Sequence, residues 1–437
     1  MAERIAVHFA LVLRSNEAKM KLRISPSAKF NTTLKYLSVA SMLTATLTAR
    51  AQRLDPRNFT EAIGIRFHDF LNQVTTTNDS LAKNHLVEDY IARVRSYGRA
   101  VIEDSTIYFL YHGNAKRVGV PGDINSWSPA IDTMTRIPKT NLFFLAKTIH
   151  PAARFEYKVT VDSIWMLDPL NQQQAMGGYG PNSEIWMPQY HAPKEIEYRA
   201  TIPHGRLDSL SIKSKRLSRT HPVFVYLPPG YRKLSRKRYP SIYVTDGGEY
   251  ITLALMTNVL DNLIAEKRTP SIIAVFVDPR TDVRDSGTSK RMYDYTMSDT
   301  FVTFMVEEVR ARLLKKYRMD WRPELTGIMG ASLGGLISTY AAFTRPDIFG
   351  LCAAQSPSYS WKKDSMITML ANAPKKKLRF YIDTGTVRDA QEKASKMKSV
   401  MDRKGYQVHY EEHPEGHNWV NWRARISHIL EYFWGTQ

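Results

Sequence analysis

The stretch GIMGASLGGLISTY, residues 327–340, decides how the chain is read. It sets Ser332 between Gly330 and Gly334, a G-x-S-x-G pattern that by itself arises easily by chance. Its surroundings give it weight. TGIM (326–329) has the character of a strand ending and GASLGG (330–335) of a tight turn, while LISTYAAFTR (336–345) reads as a helix that stops before Pro346. A serine on such a strand-to-helix turn is pushed out above the sheet edge, and the small residues Gly330, Gly334 and Gly335 let turn and helix pack closely. The Leu333 N–H then stands at a helix amino terminus, where it suits an oxyanion.

A nucleophilic serine needs a second oxyanion donor, a base and an acid. The turn after an earlier strand, YPSIYVTDGGEY (239–250), offers the N–H of Gly247 or Gly248. The last β-rich run, VHYEEHPEGHNW (408–419), holds His409, His413 and His417. His409 falls within the strand. His417, beside Gly416 in a loop before the helical WRARISHILEYFW, is best placed as base, and His413 is a weaker rival. A metal pair from His413 and His417 would need both on one helical face, which Pro414 and Gly416 disfavour. No metal is therefore expected. The preceding run, LRFYIDTG (378–385), leads to two acids, Asp383 at the strand end and Asp389 farther along. Asp389 has more room to turn towards the histidine and is preferred. A serine hydroxyl attacks only when a neutral imidazole takes its proton, and the carboxylate fixes the imidazole tautomer. The order Ser332, Asp389, His417 is that of α/β-hydrolases.

The rest of the chain agrees. VFVYLPPGY, SIYVTDGG, SIIAVFVDP, TGIMGAS, LCAAQS, LRFYIDTG and VHYEEHPEGH are apolar runs, several separated by helical stretches such as TFVTFMVEEVRARLLKKY and DAQEKASKMKSVMDRKG. Continuous apolar strands alternating with helices predict a mostly parallel sheet covered on both faces over residues 196–437. Upstream, STIYFLYHG, LFFLAKTI and RFEYKVTV predict a small all-β sandwich over 101–195. Its last part, NQQQAMGGYGPNSEIWMPQYHAPKE (171–195), reads as a Gly- and Pro-rich linker. Residues 52–100 form a helical extension, with apolar residues at helix spacing in FHDFLNQV and LAKNHLVEDYIARVRSYG and Gly98 as the stop.

Residues 1–51 resemble a targeting segment: basic residues, then YLSVASMLTATLTA, then a small-x-small pattern at Ala49-Arg50-Ala51. The expected location is periplasmic or secreted, with no stable membrane insertion once the segment is removed. The single cysteine, Cys352, excludes an internal disulfide and reads as a buried thiol. The formal charge of +19 is spread along the chain without a nucleic-acid motif, so no nucleic-acid partner is expected.

VYLPPGY (225–231), VTDGGEY (244–250), DNLIAE (261–266), VFVDPR (275–280), Arg291-Met-Tyr-Asp-Tyr295, GASLGG and GHNWVNW (416–422) together resemble the putative esterases related to esterase D and enterochelin esterase. DPLNQQQAMGGYGPNSEIWMP (168–188) is similar to the junction after the amino-terminal domain of enterochelin esterases. GDINSWS (122–128) and RFEYKVTVDSIWMLDP (154–169) resemble immunoglobulin-like modules related to glycogen-binding domains. The resemblance implies a Ser-His-acid hydrolase of oxygen esters without cofactor. The substrates it implies are a catecholate siderophore, or feruloyl and acetyl esters on polysaccharide. It also matches Arg291, Asp294 and Tyr295 to a family segment beside the active site, where they are either substrate-pocket or structural residues, and Trp419 is a further pocket candidate. Trp127 and Trp165 could stack on sugar, although a core role is favoured for one or both. Two other functions fit the same pattern: an acyltransferase, and a carbohydrate-binding protein with an inactive hydrolase domain.

Overall fold

The structure, a computed structural model, describes residues 62–234, 236–279 and 290–435. The targeting segment and the start of the helical extension lie outside the described residues. The rest of the extension forms helices Phe67–Thr76 and Ser80–Tyr97. Asp79 caps the second by accepting from the Ala82 N–H at 2.7 Å, and Gly98 ends it in the left-handed conformation its missing Cβ permits (φ 69°). The apolar faces, Phe67, Phe70, Val74, Tyr90, Ile91 and Val94, form one core with Val101, Leu110 and Leu142 of the following module. The extension is thus a layer of that module.

The module's strands are all antiparallel. A four-stranded sheet runs Val101–Glu103, Thr106–His112, Leu142–Thr148, Thr135–Arg136. Two three-stranded sheets run Arg154–Tyr157, Gly180–Trp186, Gln174–Gly177 and Val118–Gly119, Val159–Val161, Ile164–Met166. Phe109, Phe143, Phe155, Tyr157 and Ile185 fill the space between them. The stretch read as a linker is corrected here: Gln174–Gly177 and Gly180–Trp186 form a hairpin whose second strand pairs with Arg154–Tyr157. Its glycines make a hairpin turn, and buried Ala175 and Ile185 anchor it.

The second module is built on an eight-stranded sheet. We label its strands β1 Arg206–Lys213, β2 Thr220–Leu227, β3 Ser241–Thr245, β4 Ile273–Val277, β5 Thr326–Ala331, β6 Leu351–Gln355, β7 Arg379–Gly385 and β8 Gln407–His413. Their order is β1-β2-β4-β3-β5-β6-β7-β8, with β2 antiparallel to both neighbours and β3 to β8 parallel. Side chains alternate across the sheet. Tyr243, Val275, Ile328, Cys352 and Phe380 enter one core, and Ile242, Ala274, Met329, Ala353 and Tyr381 the other. This explains the continuous apolar runs: both faces are covered by helices. β1, at the edge, has little apolar signal because only Ile212 in it is buried. Among the described residues no helix is long and apolar enough to cross a membrane.

Candidate active site

β5 ends at Ala331, and the next residue takes φ 58° and ψ −120°, a conformation an L-residue holds only when its surroundings force it. That residue is Ser332. Its N–H donates to the Gln355 carbonyl of β6 at 2.8 Å, and its own carbonyl accepts from the Ser358 and Leu336 N–H groups. Space is scarce: a Cβ on Gly330 would stand 2.0 Å from Thr245 Oγ1 on β3, and one on Gly334 would stand 2.5 Å from it. Only glycine fits at these two positions. The twelve-residue helix Leu333–Thr344 follows, so the Leu333 N–H occupies its first position.

His417 lies in the loop after β8, its side chain 41% exposed. Its Nε2 is 2.9 Å from Ser332 Oγ, and its Nδ1 is 2.6 Å from Asp389 Oδ1. An ionised carboxylate can only accept, so Nδ1 carries the proton and Nε2 is free to accept from the serine hydroxyl. The Asp389 side chain is fully buried. Its Oδ2 accepts from Ser356 Oγ at 2.5 Å and from the Gly385 N–H at 2.7 Å. Burial pushes this carboxyl up, but the His417 hydrogen bond and charge, with the Ser356 and Gly385 donors, outweigh it and hold the group below its usual range. His417 also meets Trp422 edge-on at 5.0 Å.

The alternative acid and bases go elsewhere. Asp383 is buried beneath the sheet end, where its Oδ2 accepts from Gln355 Nε2 at 3.1 Å. Its Oδ1 has no partner among the described residues, and burial pushes its pKa well up. His409 and His413 turn to Glu411, at 2.6 and 2.9 Å, and His428 joins them at 3.0 Å. Burial pushes the Glu411 carboxyl up, but the hydrogen bonds from these three rings outweigh it and hold the group below its usual range.

Gly247 and Gly248 open helix Gly247–Thr252 directly after β3, the strand beside β5. A Cβ on Gly247 would lie 2.5 Å from the Phe276 backbone, so only glycine lets this turn press against β4. The preceding Asp246 is in the left-handed region (φ 53°).

Of the two roles open to Arg291 and Tyr295 the geometry fits the structural one, and Trp419 is not among the residues lining the cleft. Arg291 forms a two-pronged pair with Asp246, both contacts 2.7 Å, and so clamps that turn. Tyr295 is fully buried, its hydroxyl accepting from the Asp246 N–H at 2.9 Å. Trp419 is buried between Tyr250 and Trp422, with ring centroids 5.2 and 4.8 Å away. All three support the site from behind. The cleft beside the triad, about 350 Å³, is instead lined by Ser356, Ser358, Arg388, Glu392, Lys393 and His417. Ser358 Oγ lies 3.3 Å from Ser332 Oγ. The sequence reading passed over Ser356 and Ser358, although both follow β6 in AQSPS, directly beside the Ser332 turn. In the first module Trp165 is 42% exposed on an outer hairpin, contrary to a core role, whereas Trp127 is half-buried and donates to Asp123 Oδ1 at 3.0 Å.

The family model described as "Putative esterase" matches residues 214–433. The iron(III) enterobactin esterase of Escherichia coli K12 is 26% identical over 196 residues, 44% of this chain and 46% of that protein. An endo-1,4-beta-xylanase/feruloyl esterase of Xylanibacter ruminicola is 26% identical over 161 residues, 35% of this chain and 22% of that protein. The chain thus spans less than half the length of either relative. Among solved structures, the ferric enterobactin esterase of Salmonella typhimurium superposes with a TM-score of 0.65 at 18% identity, covering 76% of this chain and 95% of that one. The two share the α/β-hydrolase fold.

Proposed function

The chain belongs to the Putative esterase family and is a carboxylic-ester hydrolase, and on that premise we propose that it works through Ser332, His417 and Asp389. The observation that carries this reading is the continuous hydrogen-bonded line from Asp389 Oδ1 through His417 to Ser332 Oγ, with contacts of 2.6 and 2.9 Å. As Ser332 Oγ attacks the ester carbonyl, its proton passes to His417 Nε2, and Asp389 stabilises the imidazolium. The oxyanion is received by the Leu333 N–H and by that of Gly247 or Gly248. His417 then gives the proton to the departing alkoxide, leaving an acyl-Ser332. Water, deprotonated by His417, attacks that acyl group and releases the acid. No metal or organic cofactor enters these steps.

For the substrate, Arg388 in the cleft lining suits an anionic acyl or alcohol part, whereas Lys393 is already paired with Glu392 and Asp364. The relatives point to two classes of ester, that of a siderophore, which is the anionic one, and a feruloyl ester. One four-stranded and two three-stranded antiparallel sheets closing on Phe109 and Phe155 support an immunoglobulin-like assignment for the first module. Residues 1–51 would deliver the enzyme to the periplasm or the medium.

The test is hydrolysis of p-nitrophenyl acetate, ferric enterobactin, methyl ferulate and acetylated xylan by the full chain, with Ser332→Ala beside it. Serine-dependent turnover is expected, and the preferred ester identifies the branch. Equal activity in Ser332→Ala refutes the triad. Diversion of the acyl group to an added alcohol in place of water would make the protein an acyltransferase of the same chemistry. No turnover with an intact fold would instead favour the carbohydrate-binding reading.

A further inference from the structure

His417 stands between Gly416 and Asn418, and what holds those two residues is the first module. The Arg154 side chain, on strand Arg154–Tyr157, has no solvent exposure. Its Nε and Nη2 donate to Glu184 Oε2 at 3.0 and 2.5 Å, and its Nη1 donates both to Glu156 Oε1 at 2.8 Å and to Asn418 Oδ1 at 2.9 Å. The Asn418 amide group donates in turn to Asp123 Oδ2 at 2.8 Å. Asp123, also buried, accepts as well from the Glu156 N–H at 2.9 Å and from Trp127 Nε1 at 3.0 Å.

The Asn418 side chain is therefore read at both ends: its carbonyl faces a cation and its amide a carboxylate, so it has one orientation. The same carbonyl accepts from the Asn421 N–H at 3.1 Å and so starts helix Trp419–Arg423. The backbone on the other side is fixed too. A Cβ on Gly416 would lie 2.4 Å from Asp123 Cγ, and the Arg154 N–H donates to the Pro414 carbonyl at 3.1 Å. The acid is reached by the same module. Arg388, next to Asp389, donates from Nε to the Ile124 carbonyl at 2.9 Å. Val387 packs on the module's core, and its N–H donates to the Glu415 carbonyl at 3.1 Å.

We propose that Asp123 and Arg154 are positioning residues for the esterase reaction, holding His417 over Ser332 through Asn418. The first module is then part of the catalytic machinery whatever it binds. Buried, mutually bonded charges fix a geometry more surely than they add stability. A shift of the histidine loop by about 1 Å is enough to lower the rate on the order of 100-fold. The inference rests on the proposed triad.

The test uses the full chain with p-nitrophenyl acetate. Asn418 Nδ2 and the Glu156 N–H converge on Asp123 Oδ2 and Trp127 Nε1 on Oδ1, so Asp123→Asn keeps its oxygen towards the first two, turns its NH2 group on Trp127 and removes the negative charge beside the Asn418 amide. We expect kcat to fall two- to five-fold with KM within two-fold and unfolding still cooperative. Pairing it with Asn418→Asp restores an amide-carboxylate bond with the groups exchanged, and part of the lost kcat should return. A purely structural role predicts no such recovery. Should Asp123→Asn fail to fold, Trp127→Phe removes a single donor to Asp123, and a two- to five-fold fall in kcat at unchanged KM is expected. Unchanged kcat in whichever single variant folds, or no recovery in the pair, overturns the proposal. Ser332→Ala run alongside keeps the two readings apart. If it is inactive while Asp123→Asn is fully active, only the positioning role fails. If it is active, the triad itself fails.

Discussion

Replacing Asp389 by asparagine changes one atom, and the structure fixes what that atom does. Two donors, Ser356 Oγ and the Gly385 N–H, converge on Oδ2 at 2.5 and 2.7 Å. The asparagine oxygen must stay there, because turning the amide round would lose both bonds at about 1 kcal/mol each. Its NH2 group then faces His417 Nδ1. That nitrogen becomes an acceptor, the ring proton moves to Nε2, and Nε2 can no longer take the proton of Ser332. Restoring the useful tautomer costs about 2 kcal/mol by the same two bonds. The imidazolium formed during attack also loses a carboxylate beside it, worth about 4 kcal/mol for charges roughly 4 Å apart at a protein-like dielectric. Together these give about 6 kcal/mol, or roughly a 10⁴-fold loss in kcat, the size seen for the same change in a serine-protease triad. KM should hold, since no substrate contact is removed, and the melting temperature should move little. The assay is steady-state hydrolysis of p-nitrophenyl acetate, with circular dichroism to check the fold. Asp383→Asn serves as comparison. Burial pushes the pKa of its carboxyl well up and its side chain bonds only Gln355, so kcat should stay within about three-fold of the parent. An Asp389→Asn enzyme within ten-fold of the parent, or an Asp383→Asn enzyme equally impaired, refutes the assignment.

Three further outcomes test other parts of the molecule. Gly330→Ala forces a methyl group against Thr245 Oγ1 and should cost more than about 3 kcal/mol in chemical denaturation; a fully stable variant would mean that β3 and β5 can separate there. Burial pushes His221 down to about 4 despite its hydrogen bond to the Asp278 carbonyl. The unfolded chain takes up that proton near pH 6.5 and the folded chain only near 4. Stability is therefore complete above the higher value and falls by about 3 kcal/mol as pH drops through that window. His221→Gln should flatten that slope in urea titrations at several pH values, and an unaltered slope would assign the loss to other groups. The Cys352 thiol, buried and pushed up to about 12, should ignore a disulfide reagent at mildly alkaline pH until the protein is unfolded. Rapid labelling of the native protein would show that β6 opens.

What could be read from the sequence follows from where information is local. β3 to β7 are buried on both faces, so each announces itself as an apolar run. β1 and the Gln174–Trp186 hairpin bury few apolar side chains, and glycine or serine hides them. Ser332, Asp389 and His417 each stand just after a strand that is itself legible, and chain order then brings them together. Arg291, Tyr295 and Trp419 were singled out by the resemblance of the segments that hold them, which says nothing of side-chain direction: Tyr295 points into the core and Trp419 into a stack of aromatic rings. Asn418 and Asp123 meet across 295 positions, a distance at which no local pattern carries a signal.

The two outermost strands of the large sheet have a bearing on self-association. β8 presents His409, Glu411 and His413 along one face and Glu412 on the other. β1 carries Arg206, Asp208 and Lys213, two of them exposed. A strand from another molecule docking onto either rim would have to strip water from these charged and polar side chains for the sake of a few backbone bonds. Growth of the large sheet from one copy into the next along these rims is therefore disfavoured.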